Sequence, residues 1–245
     1  VSYKKNYKSN LSSTKYRKSF ESSYAFGAYP SIELLESHLD SVLRVYIRGN
    51  SNKNKGVQKI KDICNKHNIK VSVSDGIIYK LTGKENVYAV TEFKKYKSAI
   101  KPKENTLVLV RPSSRGNFGT IIRTMLAFNF KNLAIIEPAT DIFHPDLIRA
   151  SMGAIFKINF EYFSSFTEYL QVTNNNMYLF MTDSAENLKS IVYAEPFSLV
   201  FGNEASGLES EFKKFGTAVK IEQSSEVDSL NLAMSVGIGL YHSVN

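Results

Sequence analysis

At 245 residues with 43% hydrophobic content, the chain can bury one large core or two modest ones. No apolar run nears the roughly 20 residues of a membrane helix, and the basic N-terminus has no apolar stretch of secretory type. With one cysteine, Cys64, no internal disulfide can form, and a soluble cytoplasmic protein is expected. The net charge of +8 is unevenly spread: residues 1–104 carry 21 Lys and Arg against 9 Asp and Glu, residues 105–245 carry 10 against 14. That asymmetry predicts an N-terminal part that recruits a polyanion and a C-terminal part with a small site of mixed polarity.

Residues 1–20 hold six basic residues, no acidic ones and many Ser and Asn, the composition of a flexible basic tail. Residues 21–97 then alternate. SIELLESHLD reads as a helix capped by Ser31, VLRVYI as a strand and KGVQKIKDICNKH as a helix that buries Cys64. IKVSVS follows as a strand, DGIIYKLTG as a helix and NVYAVTEF as a strand, together a small α/β sandwich. The charged stretch KKYKSAIKPKE lacks an apolar period, and residues 98–104 within it are the expected linker. Over 105–245 strands are predicted at 106–110, 132–136, 155–160, 177–182, 198–201 and 218–222, with helical patterns between them. This is the rhythm of a mainly parallel α/β sheet, whose ligands collect at the carboxyl ends of the strands.

Three segments hold small and polar residues where a buried element would continue apolar. RPSSRGNFGTIIRTMLAF follows the strand at 106–110, and its helix is expected to start at Asn117, with Arg123 on the second turn. SLVFGNEASGLES places Gly202 and Gly207 around Asn203 and Glu204, and glycine there lets backbone approach a ligand closely. VDSLNLAMSVGIGLYHS reads as a loop capped by Asp228 or Ser229. The helix it opens would bury Leu230, Ala233, Met234, Ile238 and Tyr241 and leave Leu232, Val236 and Leu240 as contact area.

In this order the segments resemble the three motifs of the SpoU, or TrmH-type, branch of the SPOUT RNA methyltransferases. NFGTIIRT is similar to N-x-G-x-x-x-R-T, FGNEASGL to G-N-E-x-x-G-L, and SLNLAMSVGIGLY to a motif opening S-L-N; RASMGAIFKI is similar to the segment between the first two. The resemblance implies a deep trefoil knot in the C-terminal domain, which periodicity could not show, and a small N-terminal substrate-binding domain. It implies S-adenosylmethionine as cofactor, held by Gly202, Asn203, Gly207, Ile221, Ser229 and Leu230; Thr182 and Asp183 are added from their place at the end of a strand. The reaction implied is methylation of a ribose 2′-hydroxyl in structured RNA, most directly ribosomal RNA. Transfer RNA, and a non-catalytic RNA-binding or assembly protein on the same fold, are the alternatives.

Arg123 matches the motif arginine for which a general-base role has been proposed. A guanidinium is not ordinarily deprotonated, so holding a phosphate and stabilising developing charge on oxygen is the other role open to it. The resemblance gives Asn117 a bond to the ribose or to Arg123, with a helix cap as the plain alternative. Glu204 would pair with Arg123 or another arginine, across a subunit boundary if need be, while Ser229 and Asn231 would fix the target nucleotide. Arg111 and Arg115, from position and charge, are candidates to hold RNA phosphates. The resemblance also implies a homodimer through the knot region. Nothing in the sequence supports a metal site: His38, His67, His144 and His242 are far apart, and TDIFHPDLIRAS reads as a loop capping a helix. The approach to the third motif, IEQSSEVD, departs from the usual Ile-Pro-Met-type run.

Overall fold

The protein, described here by a computed structural model over residues 15–244, is an α/β fold built on two sheets. Of the expected basic tail, residues 1–14 lie outside the described residues. Tyr16 donates to the Asp141 carboxylate, and Lys95 holds the Lys18 carbonyl at 2.9 Å.

The first sheet runs β1 (Ser22–Phe26), β4 (Ala89–Lys94), β2 (Val42–Ile47), β3 (Val71–Val73) in spatial order, antiparallel except for the β2–β3 pair. Its helices are α1 (Ala28–Ser37), α2 (Lys55–Lys66) and α3 (Asp75–Thr82). Asn54 caps α2 through the amides of Gly56 and Val57, Ser74 caps α3, and Gly83 ends α3 in the left-handed conformation. Cys64 is buried among Val57, Ile60 and Val45. Two local expectations change. β1 was not legible in the sequence, and α1 begins at Ala28, so Ser31 lies inside the helix with its hydroxyl 3.3 Å from the Ala25 carbonyl.

The second sheet has the order β7-β6-β5-β10-β8-β11-β9, and every recorded pairing in it is parallel. Its strands are β5 (Thr106–Val110), β6 (Asn132–Ile136), β7 (Asn159–Phe163), β8 (Asn176–Phe180), β9 (Glu186–Asn187), β10 (Phe197–Phe201) and β11 (Thr217–Lys220). The central strands TLVLV, NLAII and FSLVF are buried along their whole length, because helices cover both faces. On one face α4 (Arg115–Ala127), α5 (Pro145–Ala150) and α7 (Leu232–Ser243) pack over Leu107, Leu109, Leu199 and Phe201; on the other α6 (Phe166–Val172) and Phe212 cover Val108, Val110 and Val200. The strand expected at 155–160 falls instead at Asn159–Phe163, after a 3-10 turn at Ala154–Lys157.

The two sheets share a core. Phe93 of β4 meets Phe143 and Phe156 edge-on at 5.7 and 5.4 Å, and the Lys95 ammonium lies 3.2 Å from Asp141. Gly153, at φ +84, lets the chain pass so close to α1 that a Cβ would sit 2.9 Å from Pro30 and Glu33. The segment after β4 is tied down: the Ile100 amide donates to Glu161 at 3.1 Å and the Lys101 amide to Asn132 at 3.2 Å. Among the described residues no helix is long and apolar enough to cross a membrane.

Candidate active site

The loops leaving β5, β10 and β11 carry the three motif segments, and all lie at the carboxyl end of the parallel sheet. After β5, Ser114 caps α4 by accepting from the Asn117 amide at 3.3 Å, so the helix starts at Arg115 rather than at Asn117. Asn117 is thus a first-turn residue with its side chain available. The Asn231 side chain donates to the Asn117 Oδ1 at 3.1 Å, while the Asn231 Oδ1 caps α7 by accepting from the Ala233 amide at 2.9 Å. Asn231, not Asp228 or Ser229, is therefore the cap, and a single hydrogen bond joins the first motif to the third. Gly119 has a packing reason: a Cβ there would come within 2.5 Å of Ala150 and 2.8 Å of the Leu147 carbonyl oxygen of α5 and the Ser151 nitrogen just after it.

The loop after β10 folds back on itself. The Asn203 amide donates to the Gly207 carbonyl at 3.2 Å and the Gly207 amide to the Asn203 carbonyl at 2.9 Å, with Gly207 at φ +64. Gly202 lies against that return: a Cβ would fall 2.0 Å from the Gly207 carbonyl carbon and 2.4 Å from the Leu208 nitrogen. The Asn203 side chain donates to the Arg111 carbonyl at 2.7 Å and accepts from the Ala205 amide at 2.9 Å.

Among the described residues of its own chain Glu204 has no arginine partner. Its carboxylate accepts from the Ser113 amide at 3.1 Å, the Ser113 hydroxyl at 2.8 Å and the Ser114 amide at 3.0 Å. Partial burial pushes this carboxyl up, but the bonds it accepts from its own amide and from Ser113 and Ser114 outweigh that and hold it below its ordinary range. Arg123 sits on the exposed side of α4 with no ion pair or hydrogen bond among the described residues. Arg111 is ion-paired with Glu209, and Arg115, at the exposed start of α4, lies 3.7 Å from Asp146. His144 caps α5 by accepting from the Asp146 amide at 3.2 Å, as the sequence suggested.

A cavity of about 300 Å³ opens between the ends of β8, β10 and β11 and the approach to α7. Thr182, Gly202, Asn203, Gly207, Ile221, Ser229 and Leu230 all line it, as does Glu204. Asp183 does not: one residue further along it turns outward and pairs with Lys213 at 2.6 Å. Sequence reasoning missed Phe180 and Phe201, stacked at 4.2 Å against the cavity, and Ser235 on the first turn of α7. The signal for the two rings was Gly239, where a Cβ would meet Phe180 at 2.9 Å and Phe201 at 3.0 Å. The irregular approach IEQSSEVD is shaped by the Gln223 side chain, which donates to the Asp228 carbonyl at 3.1 Å.

Residues 104–241, which contain all three loops and the cavity, match the SpoU rRNA Methylase family. The chain belongs to that family. Among relatives, it is 30% identical over 141 residues to an uncharacterized tRNA/rRNA methyltransferase of Synechocystis, a match covering 56% of this chain and 52% of the relative. It thus spans about half the length of that relative. A 23S rRNA adenosine 2′-O-methyltransferase of Streptomyces azureus is 25% identical over 200 residues, 76% of this chain and 74% of that one. The AdoMet-bound rRNA methyltransferase of Sinorhizobium meliloti superposes with a TM-score of 0.77 at 24% identity, covering 91% of this chain and 87% of the other, which establishes likeness of fold across both sheets.

Proposed function

We propose that this SpoU-family chain transfers a methyl group from S-adenosylmethionine to a ribose 2′-hydroxyl of structured RNA, with ribosomal RNA as the substrate class. The observation that carries this reading is the meeting of the second and third motif loops at one cavity, with the first motif tied to them through Glu204 and Asn231: seven of the eight residues expected to hold the cofactor line it, Asp183 being the exception.

The cavity suits such a cofactor chemically. Its walls offer Ile221, Leu230, Leu232 and Phe201 to an apolar ring, and loop amides and carbonyls to polar edges. Gly202 and Gly207 leave no side chain in the way, and the cofactor wall proposed is Thr182, Gly202, Asn203, Gly207, Ile221, Ser229 and Leu230. When bound, S-adenosylmethionine would supply an electrophilic methyl group. The protein's task is then to align the ribose oxygen and manage its proton. Asn117 and Asn231, already bonded to each other, fix the mouth of the site for the target nucleotide, with Ser229 beside them. Glu204 acts by joining the first and second motif loops. Arg123 holds the neighbouring phosphate and stabilises negative charge on oxygen, its planar fork being suited to both.

Because Arg123 is exposed and outside the cavity lining, we propose that it serves a site completed by a second copy of the chain. The exposed apolar face of α7 supports a homodimer, and the family fold supports a trefoil knot formed by the segment after β10. The proposed division is a basic tail at 1–20, an RNA-binding domain at 21–97 with 13 Lys and Arg against 8 Asp and Glu, a linker at 98–104 and the methyltransferase domain at 105–245. Arg111 and Arg115 border the RNA path.

The test is incubation with tritiated S-adenosylmethionine and total RNA from cells lacking the gene, comparing wild type with Arg123→Ala. Label in one rRNA species, absent with the variant and resistant to alkaline cleavage at one position, is expected. Labelled transfer RNA would move the substrate class, and failure to bind the cofactor at all would favour a non-catalytic RNA-binding protein.

A further inference from the structure

A second cavity adjoins the first. It has a volume of about 500 Å³ and is walled by Pro112, Pro138, Ala139 and Thr140 on one side and by Asn203 and Ser206 on the other. Asn203 and Ser206 also line the cofactor cavity, so the two spaces meet at the loop after β10. One lies over β8, β10 and β11, the other over β5 and β6, and the loop after β10 divides them.

We propose that this second cavity holds the unpaired nucleobase of the nucleotide being methylated, so that its ribose is presented at the cofactor cavity. The inference deepens the methyltransferase reading and rests on it. A base taken out of a helix needs a flat apolar wall for its face and a few polar groups for its edge. Pro112, Pro138 and Ala139 provide the wall. At the edge, the Thr140 hydroxyl donates to the Ser113 carbonyl at 2.6 Å and keeps its lone pairs free to accept, while the Ser206 hydroxyl has no partner among the described residues.

The shelf is braced before any ligand arrives. The Thr140 amide donates to the Pro112 carbonyl at 3.0 Å, the Arg111 amide to Ile136 at 2.9 Å, and Asn203 to the Arg111 carbonyl at 2.7 Å. Glu204 clamps Ser113 and Ser114 from the other side. Loops fixed in this way lose little freedom on binding, as a specificity pocket requires. The volume falls within the range of roughly 300–1,000 Å³ usual for small-molecule sites, and it adds to the first cavity rather than duplicating it, the two sharing only Asn203 and Ser206.

The test uses the full chain and, once the labelled nucleotide is mapped, a synthetic RNA fragment containing it. Ala139→Trp fills the shelf without touching the cofactor cavity. Its kcat/KM on the fragment should fall at least tenfold while the Kd for S-adenosylmethionine stays within twofold of wild type. An otherwise identical fragment abasic at the target should cost the wild-type enzyme a similar factor, and Ala139→Trp should add little to that loss, since both changes remove one contact. Methylation of the abasic fragment at the wild-type rate would overturn the proposal whatever the variant does, and so would an unchanged rate for a folded Ala139→Trp. A wild-type protein that binds no cofactor would instead overturn the methyltransferase reading, and the shelf with it.

Discussion

Replacing Glu204 separates two roles that a carboxylate in this loop can play. In the structure it accepts two hydrogen bonds from Ser113 and one from Ser114, at 2.8 to 3.1 Å, and a longer one from the Asn203 side chain at 3.5 Å. Bonds to a charged acceptor contribute about 1.5–3 kcal/mol each when sheltered; for a half-buried carboxylate whose donors can be rehydrated, roughly 0.5–1 kcal/mol each is a fair discount. Glu204→Ala should therefore lower stability by about 1.5–3 kcal/mol, or roughly 3–12 °C in melting temperature for a chain of this size. Glu204→Gln keeps the shape but turns an amide NH2 toward a backbone N–H, and should cost about 1 kcal/mol. Because the loop also shapes the cavity wall, the Kd for S-adenosylmethionine should rise about 5- to 30-fold in both variants, equivalent to about 1–2 kcal/mol. Urea denaturation and calorimetric titration read the two effects. A Glu204→Gln protein with unchanged urea midpoint and cofactor affinity, but without methyl transfer, would refute the tie between loops and restore an arginine partner. The folded-state value of this carboxyl lies below its unfolded value of 4.5, so the tie contributes fully above that pH and is lost as the pH falls through the depressed value.

Gly202→Ala should abolish cofactor binding, because its Cβ would lie 2.0 Å from the Gly207 carbonyl carbon and force the loop open; retained affinity would show that the loop can yield. Burial lowers the His38 pKa despite its bond to the Phe156 carbonyl at 3.1 Å, so stability should be full above the unfolded value of about 6.5 and decline as the pH falls below it. The urea midpoint measured at pH 7.5 and 5.5 should show that slope in wild type and a smaller one in His38→Phe, since His144, also lowered by burial, keeps its share. Changing Met234, Ile238 and Tyr241 together to Ser should convert a dimer to monomer in sedimentation, with little loss of thermal stability beyond the dimer contribution; a monomeric wild type would refute that use of the face.

The faces of α7 explain why such predictions needed the tertiary structure. The helix is apolar nearly all round, so its period could not choose a side. The sequence favoured Met234, Ile238 and Tyr241 as core, yet they are 62%, 36% and 60% exposed, while Leu232, Val236 and Leu240 are buried against the sheet. The exposed face is therefore the reverse of the one expected.

Elements with a single clear period were legible in the chain itself. TLVLV, NLAII and SLVF read as parallel strands because buried strands tolerate no polar alternation, and the residues that punctuate the apolar pattern located the three loops. β1 was hidden because SSYAF adjoins a polar, basic stretch and gains its burial from distant elements, β4, α1, α5 and the loop at Phe143. Partners were the least legible. Glu204 binds backbone amides, which carry no residue signature, and Asp183 turns away from the cavity because the chain has already left β8 and Lys213 stands outside. Local pattern determined which segments are strand, helix and ligand loop. Only packing of the two sheets decided which faces meet, since that depends on contacts between residues far apart in the chain.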